Sequence, residues 1–158
     1  MLLVAWAVPA SAGYDDGVSA YDAGDYGIAY AEFSALSAGG HAGADFMLGA
    51  MYFYGKGKPR DNALAATWFH KSARKGNVAA QLAYGSLHIR GWGVPRDLVE
   101  AYMWLTLVTT EDDISSLQRQ AMLLRDEAAR DMSASEIERA RQKAQRWTPA
   151  RSGLTIQY

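Results

Sequence analysis

The chain has 158 residues, 49% of them hydrophobic and 21% charged, which suffices for one globular domain with its own core. A formal net charge of −1 excludes a strong overall field that would gather nucleic acid or anionic lipid. With no cysteine, disulfides are excluded and the redox compartment is left open.

Residues 1–12, MLLVAWAVPASA, read as part of a secretory signal. Leu2 to Val8 is apolar but too short to span a bilayer, and Ala10-Ser11-Ala12 supplies small residues for cleavage before Gly13. No stable membrane insertion is expected. Residues 14–23 read as a short first helix. Residues 25–38 follow with Ile28, Ala29, Phe33 and Leu36 at helical spacing and Asp25 as the expected cap. Further helices are expected over 42–54, 62–74, 78–89 and 98–108. Six acids precede Lys56 and no Lys or Arg does, so the first part of the chain is acidic and the rest mildly basic.

One turn occurs twice. Gly55-Lys56-Gly57-Lys58-Pro59-Arg60-Asp61 returns 36 residues on as Gly91-Trp92-Gly93-Val94-Pro95-Arg96-Asp97. The first glycine of each copy stops a helix, the second turns the chain again, and the proline cannot continue the preceding helix. Asp61 and Asp97 are placed to cap the next helix, with Glu100 completing a capping-box variant after Asp97. At the same offset Ala44 matches Ala80, Gly49 matches Gly85, Ala65 matches Ala101 and Trp68 matches Trp104. Asp25/Asp61, Ala29/Ala65 and Phe33/Phe69 carry the register upstream. A repeat of this length holding two helices predicts a solenoid of stacked helix pairs, with the small residues at close approaches and Trp68 and Trp104 filling the gaps between units.

The pattern Ala44-x3-Leu48-Gly49-x-Met51-Tyr52-x2-Gly55-x-Gly57, then Asp61-x3-Ala65-x2-Trp68-x2-Lys71-Ser72-Ala73-x2-Gly76, resembles the Sel-one-like repeat family. The second copy departs from it with Tyr84 in place of leucine and His88 in place of tyrosine, and the first with Lys58 in place of valine. The resemblance implies an all-α fold, a right-handed α-α superhelix of antiparallel helix pairs over 14–147. Its units would be about 42–77 and 78–113, after a partial unit at 14–41. It also implies protein–protein contacts in signalling or assembly, often in the bacterial envelope.

After Thr110 the period fails. A seventh helix is expected to about Arg130. An eighth, started by Ser133 with Glu136 three residues on, is expected to about Trp147. The two over 112–147 resemble the C-terminal capping helix pair of the family, and 148–158 reads as a loose tail.

The chain offers no motif for chemistry. His41, His70 and His88 lack metal-ligand spacing, the Gly-x-Gly pairs lack the ending of a phosphate loop, and the basic residues form no stripe. No catalytic, cofactor or metal residue is therefore expected, nor a nucleic-acid partner. The expected function is a scaffold that binds another protein, exported to the periplasm. The alternatives are a hydrolase of cell-wall or β-lactam compounds and a cytoplasmic structural adaptor. Exposed aromatics anchor protein interfaces, and the first helices of successive pairs line the concave side of such arrays. The candidate protein-binding strip is Asp45, Tyr52, Gln81, Tyr84 and His88. Of the consecutive Tyr52, Phe53 and Tyr54, at least one is expected to face solvent.

Overall fold

The computed structural model describes residues 13–108 and 116–149 as helices joined by short links, with no strand among them. The expected leader over 1–12 and the tail beyond Pro149 lie outside the described residues. The helices are α1 (Tyr14–Ala23), α2 (Tyr26–Ala38), α3 (Ala42–Tyr54), α4 (Asn62–Arg74), α5 (Val78–Arg90), α6 (Leu98–Val108), α7 (Ser116–Arg130) and α8 (Ala134–Arg146). α1–α2, α3–α4 and α5–α6 form pairs, and α2–α3 and α4–α5 contacts stack one pair on the next. This is an all-α solenoid.

Capping residues set the element boundaries. Asp61 Oδ1 accepts from the N–H groups of Ala63 and Leu64, both at 2.9 Å, and Asp97 Oδ1 from those of Val99 and Glu100 at 2.9 and 3.0 Å. Two capping expectations are corrected. Asp25 stands at the start of α2, but its side chain caps nothing. The link there is only Gly24-Asp25. Asp25 takes φ −79° and ψ 59°, with Tyr26 N donating to Gly24 O at 2.9 Å. That is an inverse γ-turn, which turns the carboxylate away from the helix N–H groups. Glu100 does not reach back to Asp97 either, because it pairs with Lys143 of α8. At α8 the capping box forms: Ser133 N donates to Glu136 Oε2 at 2.8 Å, and Glu136 N donates to Ser133 Oγ at 3.3 Å. The Ser133 backbone N–H, then its hydroxyl, hold the Glu136 carboxyl below its ordinary pKa.

The repeated turn also joins units. Gly57 (φ 72°) lies against Tyr26 at the start of α2, so closely that a Cβ there would collide with the Cβ of Tyr26. Gly93 (φ 73°) lies against the first residues of α4, where a Cβ would collide with the Asn62 carbonyl and sit 2.7 Å from Ala63 N. The contacting residues are offset by the same 36 positions as the glycines. Each turn therefore rests on the N-terminus of the previous unit's second helix.

Within each pair a second close approach recurs. A Cβ on Gly17 would fall 2.7 Å from the Phe33 ring, on Gly49 2.7 Å from the Phe69 ring, and on Gly85 2.9 Å from Leu105 Cγ. Glycine in a helix interior costs roughly 1 kcal/mol against alanine, which the close packing of a buried side chain here offsets. Trp104 is 4% exposed and packs edge-on to Tyr84, with ring centroids 5.6 Å apart. Its counterpart Trp68 is half-buried against the cluster of Ala44 and Leu48, the positions equivalent to Ala80 and Tyr84. Trp104→Ala is expected to cost about 3–5 kcal/mol. Trp68→Ala costs less, and Tyr54→Ala, at a side chain 65% exposed, about 0.5 kcal/mol or less. Melting temperatures falling in any other order would contradict these environments.

The last two helices lean on α6 more than on each other. Ala101, Leu105 and Val108 of α6 pack with Ala121 and Ala128 of α7. Tyr102 and Met103 pack with Ala140 and Ala144 of α8, beside Ile137 and Trp147. α6 has two apolar faces and each helix takes one. The remaining surface of α8 is charged.

Candidate functional site

The first helices α3 and α5 carry a second, largely half-buried apolar face. On α3, Phe46, Ala50 and Phe53 recur at helical spacing away from the core residues Ala44, Leu48 and Met51. On α5, Ala79, Ala83 and Ser86 form the facing stripe, and their small side chains leave space beside the phenylalanines. Leu117, Gln120 and Leu124 of α7 close the far wall, Phe69 of α4 forms part of the floor, and Trp92 stands at the turn end. The resulting groove has a volume of about 480 Å³, within the range of ligand pockets. Arg90 is its single charged lining residue, 3.5 Å from Glu127 of α7. Trp92 is 46% exposed and packs on Phe53 at 6.0 Å between centroids. Tyr54 is the expected exposed aromatic of its triplet.

The five residues of the expected strip lie on other helix faces, and three of them are enclosed. Asp45 is fully buried, 2.9 Å from Lys71 Nζ and 2.6 Å from Lys75 Nζ, and accepts a hydrogen bond of 2.5 Å from Ser37. Gln81, its counterpart one unit on, is 3% exposed and donates to Ala73 O at 3.4 Å. His88 is buried, with Nδ1 3.2 Å from Pro95 O. Tyr52 is half-buried and shares a 3.3 Å hydrogen bond with the Tyr30 hydroxyl. That bond, then burial, raises its pKa. Tyr84 is half-buried and stacked on His70 at 4.8 Å. Burial first, then the charge of Glu100, raises its pKa. Burial and the nearby Arg74 lower the pKa of His70.

The structure thus brings Tyr84 and His88 together, at 4.8 Å between centroids, but does not join the five into one exposed strip. The reason is helical phase. Positions 45, 52, 81, 84 and 88 turn into contacts with neighbouring helices and links, whereas 46, 50 and 53 border the groove, over Phe69 of α4 and beside α5. The signal for Phe46 and Phe53 was present, because α3 carries more apolar residues than one buried face needs. Among the described residues no three His, Asp or Glu side chains are grouped to hold a metal ion, and no described helix is long and apolar enough to cross a membrane.

The repeat can now be compared with known families. The model of the Sel1 repeat matches residues 42–77 and 78–107. The chain carries two Sel1 repeats. A solved protective antigen of uropathogenic Escherichia coli strains, displaying an SLR fold, superposes with a TM-score of 0.77 at 27% identity over 85% of this chain. A Sel1 repeat protein from Oxalobacter formigenes superposes with a TM-score of 0.67 at 20% identity over 86%, a likeness of fold alone. The chain spans 28% of the first protein's length and 56% of the second's. No curated protein matches the sequence. Sel1 repeats mediate protein interactions and are generally scaffolds.

The departures from the Sel1 pattern have local explanations. Lys58 places its ammonium 4.0 Å from the Tyr30 ring centroid, while its counterpart Val94 packs on the cluster of Phe69 and Leu87. Tyr84, in place of leucine, fills its site by stacking on His70 and meeting Trp104 edge-on.

Proposed function

We propose that this protein is an interaction scaffold whose Sel1 repeats dock an apolar protein segment in the groove between α3, α5 and α7. The observation that carries this reading is the groove itself, walled by Phe46, Phe53 and Leu82, with Tyr54 and Trp92 exposed at its rim. Large exposed aromatics beside an apolar cleft are the usual anchors of a protein interface. A photo-crosslinking residue placed at Ser86 is expected to capture a protein in the native cell, and one at the exposed Gln142 of α8 is not. Equal capture at both sites, or none at Ser86, argues against the groove.

We further assign the protein to the bacterial envelope, in signalling or assembly. The apolar run Leu2 to Val8 followed by Ala10-Ser11-Ala12 supports export. Sequencing the natural N-terminus tests this: a mature chain starting at Gly13 fits, and one retaining the run Leu2 to Val8 does not.

A further inference from the structure

We propose that the occupant of this groove is an amphipathic segment whose apolar side chains enter between α3 and α5 and whose carboxylates meet Arg60 and Arg90. The proposal rests on the docking reading above and adds the partner's chemistry. The lining contains no Asp or Glu, and its charged member is Arg90. Arg60 places its guanidinium 5.6 Å from the ring centroid of the lining residue Phe53. It is exposed and, among the described residues, has no carboxylate partner; its polar contact is Asn62 Oδ1 at 3.4 Å. Arg90 already meets a carboxylate, Glu127, at 3.5 Å with both side chains about half exposed, so a partner's carboxylate can share or replace that contact. Such rim pairs add little affinity each but choose between partners of opposite charge.

The dimensions fit a short segment. From Phe46 to Tyr54 the groove follows about two turns of α3, a span of roughly 12 Å. That length takes apolar side chains at positions i, i+3 or i+4, and i+7 of a helix, with the acidic residues at the end nearest Trp92. A nucleic acid fits less well. Its affinity comes mainly from neutralised phosphates, and an apolar floor with two arginines supplies few contacts of that kind.

A displayed library of random twelve-residue peptides, selected against the full chain, tests the assignment. Binders are expected to combine Leu, Phe or Trp with Asp or Glu, to be depleted of Lys and Arg, and to bind at least 10-fold more weakly to Ala83→Phe, which fills the groove. Exchanging their acids for lysine is expected to weaken binding by about 10-fold. The double variant Arg60→Glu with Arg90→Gln is expected to abolish that difference while melting as the parent does. Binders lost on Ala83→Phe but indifferent to charge, or enriched in Lys and Arg, overturn the acidic partner and leave the groove as the docking site. No binders, binders indifferent to Ala83→Phe, or tighter binding of a single-stranded oligonucleotide overturn both readings.

Discussion

Gly93→Ala is expected to be among the most damaging single-methyl changes in this protein, lowering stability by about 3 kcal/mol or more. Two costs combine. Gly93 has φ 73°, a left-handed conformation that costs an L-residue about 1–2 kcal/mol. The added Cβ would also collide with the Asn62 carbonyl and lie 2.7 Å from Ala63 N, and backbone at the start of a helix cannot swing aside as a side-chain tip can. Gly57→Ala repeats the experiment one unit earlier, against Tyr26. Gly24→Ala separates the two costs. Gly24 has φ 85° with nothing within 4 Å of a built Cβ, so only the conformational cost of about 1–2 kcal/mol applies. Urea unfolding of the three variants gives the comparison. Equal losses at Gly24 and Gly93 would show that the turn does not bear on the neighbouring unit.

Asp45→Ala is the second large effect, expected at about 3 kcal/mol, the lower end of the range for removing one partner of a buried ion pair. The carboxylate is wholly enclosed and joins three helices: Ser37 from α2, its own α3, and Lys71 of α4 with Lys75 at that helix's end. Lys75 also donates to Gly40 O at 3.0 Å, in the link between α2 and α3. Removing the acid leaves Lys75, 16% exposed, close to a carbonyl and without its counter-charge. Lys71 is 42% exposed and turns to water at little cost, which keeps the effect from being larger. Asp45→Gln copies the neutral solution of Gln81 and is expected to recover part of the loss only when Lys75→Met removes the stranded ammonium. A double-mutant cycle measures that coupling. Independence of Asp45 and Lys75 would mean the pair contributes nothing to stability.

Much of the fold was legible because its punctuation is local. A glycine stop, a proline and a capping aspartate lie within seven residues at Gly55–Asp61 and again at Gly91–Asp97, so the ends of α3 to α6 could be read without tertiary information. Asp25 shows the limit of that logic. Its identity matches Asp61, but the two-residue link changes its backbone and removes the cap. The candidate site was less legible because both faces of α3 are apolar, and choosing between them needs the position of α5. Asp45 misled for a related reason: the lysines that allow a carboxylate to be buried come from 26 and 30 residues further along the chain. Arg60 beside Phe53 depends in the same way on how the turn folds back over α3.

Gly57 on Tyr26 and Gly93 on Asn62 are one joint made twice, and each half of the joint recurs after 36 residues. A block of that size excised or copied between equivalent points keeps a glycine turn resting on a helix start at the remaining junction, while side chains that differ between units, such as Asp45 and Gln81 or Lys58 and Val94, are exchanged there. The glycine joint thus gives the array a fixed graduation of 36 residues, like a ruler, within which the side chains that differ from unit to unit set how each seam is filled.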